Sequence, residues 1–340
     1  MIIGGEFAIP IDRLNNVQTN RKRTENYYCY SSGRSALYYI LIYLKEHKNI
    51  KRVLLPDYLC SSIVDTIKQV GLSIKFTSLT KDLVFDINEL KNNILSNDVV
   101  LVINYFGLQN VNLQIDLIKT IAPQCPIIED DVQAFFHFWD YSSKANFRFT
   151  SLRKSFAIPD GGLVQSREPL YTTHDENNFS IYKIAGGILK SLSPSNAEIE
   201  QTFLELLAKG ESLIQKDVRK TMSIQSKNLF ETENISFSQV RRKENADIIL
   251  KGIEELGIKT IIPVNKTHTP LFVPIYLNNR NKIRKILAEN QIYCPVHWPL
   301  ENLPLQMGKE MEEHELSIVI DQRYGKKEMN KILKIIADHL

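Results

Sequence analysis

Cysteine is scarce. The chain has four in 340 residues, Cys29, Cys60, Cys125 and Cys294, with no C-x-x-C spacing. This excludes a disulfide framework or a cysteine-built zinc site and predicts reduced thiols packed as small apolar side chains. Long apolar runs are missing too. The best of them, Val99 to Ile103, stops at Asn104, far short of the roughly 20 residues that span a bilayer. The amino terminus meets Glu6, Asp12 and Arg13 before any apolar h-region develops, with no cationic n-region ahead of it, so no secretory signal is expected and the predicted location is cytoplasmic. Charge of one sign is not in excess: 42 Lys and Arg less 39 Asp and Glu give +3. That balance leaves no global footprint for nucleic acid or an anionic membrane. G-x-x-x-x-G-K-[ST] and G-x-G-x-x-G are absent, which removes the main support for ATPase and dinucleotide-binding readings. Without H-E-x-x-H or paired histidines at metal spacing, no metal ligand set is expected.

What is present is an ordinary globular composition, 43% hydrophobic and 24% charged, with a length that suggests about two domains at roughly 150 residues each. The first half alternates strand and helix. Apolar residues recur at helical spacing from Arg34 to Leu44 after Ser31-Ser32-Gly33, and Val53-Leu54-Leu55 is a short buried-strand run stopped by Pro56. A helix over Cys60–Val70 ended by Gly71, a strand over Leu72–Thr77, a helix near Asn88–Leu95 and strands at Val99–Ile103 and Ile127-Ile128 follow. Such alternation predicts an α/β fold with a mostly parallel sheet flanked by helices, ligands sitting at the carboxyl ends of its strands. The second half predicts helices at Ile199–Gln215, Phe237–Leu256, Arg280–Asn290 and Lys326–His339 and a strand at Leu271–Tyr276. These make a smaller carboxyl-terminal α/β lobe, packed rather than tethered because no Pro/Gly/Ser linker separates the halves. The expected division is a large domain over residues 28–190, with residues 1–27 and 191–340 forming the amino-terminal segment, connecting helices and small domain.

Four segments carry candidate chemistry. Ser31-Ser32-Gly33-Arg34-Ser35 enters a helix, where free backbone N–H groups hold a phosphate or serve as an ordinary helix cap. Glu129-Asp130, at a strand end with Gln133 three residues beyond Asp130, places a carboxylate either at the ligand crevice or in water. Ser151-Leu152-Arg153-Lys154 precedes Pro159-Asp160-Gly161-Gly162. A lysine there can form a Schiff base with an aldehyde cofactor once burial and neighbouring cations lower its pKa, though most lysines are simply solvated. Pro56-Asp57-Tyr58-Leu59-Cys60 and Asn104-Tyr105-Phe106-Gly107 follow strands and offer a flat ring to a cofactor or to the core.

In this order the segments resemble the fold type I pyridoxal-phosphate enzymes, and within them the DegT-type nucleotide-sugar aminotransferases. Ser32-Gly33-Arg34-Ser35-Ala36-Leu37 is similar to the family's Ser-Gly-x-Ser-Ala-Leu, Glu129-Asp130-Asp131-Val132-Gln133 to its Glu-Asp-x-x-Gln, and Lys154 stands seven residues before Gly161-Gly162 as the family's cofactor lysine does. Tyr293-Cys294-Pro295-Val296-His297 resembles a small-lobe Pro-x-His segment near the active site. The resemblance covers residues 28 to 165 well and the rest in outline. It implies pyridoxal 5'-phosphate as cofactor, with Lys154 its covalent anchor and proton carrier and Asp130 the partner of its pyridinium nitrogen. Gln133 is then placed near its ring hydroxyl, Ser32, Gly33 and Ser151 near its phosphate, and His297 near the substrate. It further implies an amino donor such as L-glutamate, a keto-sugar nucleotide acceptor, amino-sugar formation for cell-surface polysaccharide or a secondary metabolite, and a homodimer.

The sequence departs from the family at several points. The usual aromatic position falls on Cys60, which passes the ring-stacking role to Tyr58 or Tyr105. The position five residues before the lysine, commonly serine, is Phe149, and Ser151 is the nearest serine. No Gly-Tyr-Asn-x-Arg segment is present to reach a partner's site. Arg34 replaces a smaller residue and makes either a phosphate or substrate contact or a surface position. The alternatives are a transaminase with a non-sugar keto acceptor and a catalytically silent regulator on the same fold.

Overall fold

The computed structural model describes residues 2–15, 23–192, 197–216, 218–263, 267–298 and 306–340. Its larger lobe is built on a seven-stranded sheet, ordered Tyr28–Tyr30, Gly162–Ser166, Phe147–Ser151, Ile127–Asp130, Asp98–Ile103, Arg52–Pro56, Ser73–Thr77. From Phe147–Ser151 to Ser73–Thr77 all pairings are parallel, and Gly162–Ser166 runs antiparallel to both neighbours. The central Asp98–Ile103 strand is buried at every position, as expected where helices cover both faces of a parallel sheet.

The helices begin and end where their caps dictate. Ser32 accepts the Ser35 N–H to open Gly33–His47, and Gly71, at φ 75°, closes Ser61–Val70 with its N–H on the Ile67 and Lys68 carbonyls. Among the strands that the apolar pattern does not reveal, Phe147–Ser151 has a physical reason for its disguise. Arg148 and Thr150 interrupt the apolar run, yet both are buried: Arg148 Nη2 lies 2.6 Å from Asp131 Oδ2, and Thr150 Oγ1 donates to the Asp131 carbonyl at 2.8 Å. They are polar because they hold Asp131, just past the end of the neighbouring strand Ile127–Asp130.

Gly162 fixes the start of the helix Gly33–His47. A Cβ there would lie 2.2 Å from the Ser32 carbonyl oxygen and 3.0 Å from the Gly33 nitrogen, both backbone atoms. Gly162→Ala should therefore push the Ser32-Gly33 turn outward and cost about 1–3 kcal/mol, the usual range for overpacking. Urea denaturation would read that loss, and an unchanged midpoint would show that the turn yields freely.

The smaller lobe carries an antiparallel sheet, Lys259–Thr260, Phe272–Tyr276 and Glu315–Val319. The helices Ile235–Glu255, Arg280–Glu289 and Lys326–Ala337 supply its core, with Ile249, Ile283 and Ile332 packed against Val273, Ile275 and Leu316. The amino-terminal strand Ile3–Gly4 pairs in parallel with Ile292–Tyr293, so the first residues join this lobe. Between the lobes' sequences, Phe179–Leu192 packs along Ala197–Lys216 and carries the latter helix to the rim of the cavity described below. Among the described residues no helix is long and apolar enough to cross a membrane, and the four cysteines are free.

Candidate active site

A cavity of about 880 Å³ opens between the lobes. The large lobe contributes Ser32, Asp130, Ser151 and Lys154 to its wall, and the small lobe contributes Tyr293 and His297. Asp130 and Ser151 are the last residues of adjacent parallel strands, the strand ends at which α/β sheets place their ligands.

Strand alternation sorts three consecutive acids. Asp130 faces the cavity, while Glu129 and Asp131 face the opposite side, where Arg148 lies 2.6 Å from Asp131 and 3.6 Å from Glu129. Among the described residues, Glu129, Asp131 and His137 are the one group of possible metal ligands close together, and Arg148 already supplies positive charge there. Asp130 has no such cation among the described residues. Burial pushes its carboxyl up to about 7, against the Val132 N–H that donates to Oδ1 at 2.9 Å.

This raised value sets a direction for stability. Because the folded state holds the Asp130 proton more tightly than the unfolded chain, whose value is about 3.9, the contribution is fully present below that pH. It is lost as pH rises through about 7. Asp130→Asn should flatten the fall in melting temperature of cofactor-free protein between those limits, and superimposable pH profiles for the two proteins would contradict the assignment.

Lys154 lies in the short helical turn Leu152–Ser155, whose Leu152 and Ser155 are buried while the lysine side chain reaches into the cavity. No hydrogen bond or ion pair holds its amine among the described residues. Arg153 and then burial lower its pKa, which favours the neutral amine that a nucleophile requires.

Ser32, Gly33, Arg34, Cys60, Gln133, Ser151 and His297 also line the cavity. Gly33 sits where a Cβ would lie 3.2 Å from Val132 Cγ2, so its bare backbone leaves the turn open for close approach. Gln133 Oε1 accepts the Phe106 N–H at 3.1 Å, which fixes the amide toward the loop. Cys60 Sγ lies 3.1 Å from Ser62 Oγ. The His297 ring is anchored by Ser317 Oγ at 2.8 Å from Nδ1, and the His297 backbone N–H donates to Glu315 Oε2 at 2.6 Å. Burial, with Lys154 adding to it, drives the imidazole down to about 3, so it is neutral at physiological pH.

Tyr58 and Tyr105 are placed elsewhere. Both are buried off the cavity wall, stacked on each other at 5.4 Å, and their hydroxyls donate to the His297 and Tyr58 carbonyls respectively. The ring-stacking role expected of them therefore has no geometric support. Their physical role is underneath, where Tyr58 packs at 5.0 Å against Trp298, which does line the cavity.

Several wall residues escape a sequence reading. Arg242 is fully buried and ties the lobes, its Nη2 donating to the Ser155 carbonyl of the large lobe at 3.4 Å and its Nη1 to the Leu271 carbonyl at 3.0 Å. In the sequence it belongs to Arg241-Arg242-Lys243, which looks like a solvated helix face. Arg153 and Glu211 meet at 3.2 Å across 58 residues of chain, and no local signal joins them.

No protein-family model matches the sequence, and no curated protein matches it. Solved structures do resemble the fold. The sugar aminotransferase CalS13 from Micromonospora echinospora aligns with a TM-score of 0.69 at 13% identity, covering 100% of both chains. NtdA from Bacillus subtilis, with bound cofactor PMP, aligns at a TM-score of 0.65 and 13% identity, over 92% of this chain and 73% of that one. A DegT DnrJ EryC1 StrS aminotransferase from Brucella abortus aligns at 0.64 and 15%, over 93% and 86%. The expected fold, a large mostly parallel sheet with a smaller carboxyl-terminal lobe, is therefore that of these aminotransferases.

Proposed function

We propose that the protein is a pyridoxal-phosphate-dependent aminotransferase that moves an amino group from L-glutamate to a keto-sugar nucleotide. The observation that carries this reading is the pairing, on one cavity wall, of an unpartnered lysine amine with a buried carboxyl at a strand end. The residues fit the cofactor. The Ser32-Gly33 turn and Ser151 would hold its phosphate, Asp130 its ring nitrogen, Gln133 its ring hydroxyl, and Lys154 its aldehyde carbon. When bound, pyridoxal phosphate supplies an electron sink for the bonds at the donor's α-carbon.

The chain's own residues do the rest. Lys154 Nζ, once released by the donor's amine, takes the proton from the donor's α-carbon and redelivers it. Asp130, poorly solvated and without a cation of its own, gains a partner when a protonated ring nitrogen approaches, so binding and ionisation support each other. His297, neutral and fixed by Ser317, presents a polar edge to substrate without adding charge beside Lys154. A volume of about 880 Å³ lies toward the upper end for ligand sites, which supports an acceptor larger than a simple keto acid. The similar solved structure described as a sugar aminotransferase points the same way. Within this reading the protein acts in the cytoplasm as a homodimer and makes an amino sugar for a cell-surface polysaccharide.

The test is the absorbance spectrum of purified protein with pyridoxal phosphate, before and after L-glutamate, with Lys154→Ala beside it. A lysine-linked cofactor band that bleaches only in the wild type supports the first half-reaction, after which keto-sugar nucleotides and simple keto acids are compared as acceptors. A missing band would overturn the proposal.

A further inference from the structure

Three cations converge on one carboxylate beside Lys154. Glu211, on the helix Ala197–Lys216, has Oε1 3.2 Å from Arg153 Nη2 and 3.7 Å from Arg34 Nη2, and Oε2 3.3 Å from Lys183 Nζ. Lys183 is shared with Glu6 at 2.7 Å. These five side chains carry three positive charges and two negative ones, so the group has a surplus of one positive charge before Lys154 is counted. Burial raises the Glu211 carboxyl, but Arg153, Lys183 and Arg34 outweigh it and hold the group down to about 2, so Glu211 is ionised throughout the working range.

The cluster is nevertheless incomplete. Arg34 Nη1 and Arg153 Nε are buried with no hydrogen-bond partner among the described residues. Guanidinium N–H groups out of water and without an acceptor are costly, and their planar geometry suits a carboxylate. Arg34, Arg153 and Glu211 all line the cavity, and a third of the Glu211 side chain is solvent-exposed. Arg153 precedes Lys154 in the chain and is the largest cause of its lowered pKa.

We propose that Arg34 and Arg153 form the subsite for the carboxylate of the amino donor, with Glu211 as a built-in occupant that holds both guanidiniums in place and competes with the donor. This rests on the aminotransferase reading. One carboxylate group, a single charge spread over two coplanar oxygens, matches the surplus charge of the cluster, whereas a phosphate concentrates up to two charges on one group and would be repelled more strongly by Glu211. Arg34 and Arg153 would contact the donor directly. Glu211 is a positioning residue.

The experiment titrates glutarate, an unreactive dicarboxylate, and separately inorganic phosphate into the full-length protein as purified, read by isothermal titration calorimetry. Glutarate should bind the wild type, at least tenfold more weakly Arg153→Gln and at least threefold more weakly Arg34→Gln. It should bind Glu211→Gln at least threefold more tightly, because the competing carboxylate is gone. A melting curve establishes that each variant is folded. Arg153→Lys, which keeps the charge and loses the fork, should still bind severalfold more weakly and replaces Arg153→Gln if that variant does not fold. Glutarate binding that is absent from the wild type, or unchanged in both arginine variants, would overturn the proposal. So would the same mutational pattern with phosphate in place of glutarate, which would assign the pair to the cofactor's phosphate. Glutarate binding needs no cofactor, so a failure here is distinguishable from failure of the aminotransferase reading, which shows as a missing cofactor band.

Discussion

Lys154→Ala leaves a folded protein that no longer bonds pyridoxal phosphate, and its turnover falls at least ~10²–10⁴-fold, the range for losing a positioned proton carrier alone. The reasoning starts from what the side chain does not do. No hydrogen bond or ion pair among the described residues depends on its amine, and it reaches into a cavity rather than filling the core. Its removal should change stability by no more than about 0.5 kcal/mol, as for substitutions away from packed or paired features. Borohydride reduction followed by peptide mass analysis should find the cofactor on the peptide containing Lys154 in the wild type and on no peptide in the variant. One rival amine is Lys183, but Glu6 at 2.7 Å and Glu211 at 3.3 Å engage it in a salt-bridge cluster. Cofactor mass on a Lys183 peptide would reverse the assignment of the two lysines.

The elements that were legible in the sequence are those whose signal is local. Val99–Ile103 reads as a central strand because all its side chains are apolar, and it is one. Ser32 reads as a cap and makes the capping bond to Ser35. Asp130 reads as a strand-end carboxylate facing either the ligand crevice or water, and the structure places it on the cavity wall. Tyr58 and Tyr105 fail for an equally physical reason. Each follows a strand, but whether a ring after a strand turns toward the crevice or beneath it depends on loop conformation, and Phe106, at φ 57°, marks a local reversal that no periodicity encodes. The Arg34, Arg153, Lys183 and Glu211 cluster was illegible altogether. Its members lie on four separate segments, and only the packing of Phe179–Leu192 against Ala197–Lys216 brings Lys183 and Glu211 together at the cavity.

Asp130 and Asp131 offer the sharpest contrast, since neighbours one bond apart in sequence should fail in opposite ways. Asp130→Asn keeps an oxygen for the Val132 N–H and adds no volume, so the fold and cofactor uptake should persist. What is lost is the negative charge facing the cavity, and turnover should fall about 10²–10³-fold, as when one preorganised electrostatic partner of a reacting group is removed. Asp131→Asn acts on the other face. It strips the carboxylate that Arg148 contacts through Nε at 3.0 Å and Nη2 at 2.6 Å, and leaves a buried guanidinium whose remaining acid, Glu129, is itself pushed toward its neutral form by burial. Breaking a buried pair from one side costs about 3–5 kcal/mol, so Asp131→Asn should lower the denaturation midpoint sharply while the surviving folded fraction still takes up cofactor. Parallel denaturation curves and single-turnover rates separate the two outcomes. If Asp130→Asn turns over at the wild-type rate, Asp130 has no part in the chemistry. If Asp131→Asn instead shows the catalytic loss at unchanged stability, the alternation of the two acids about the strand is assigned the wrong way round.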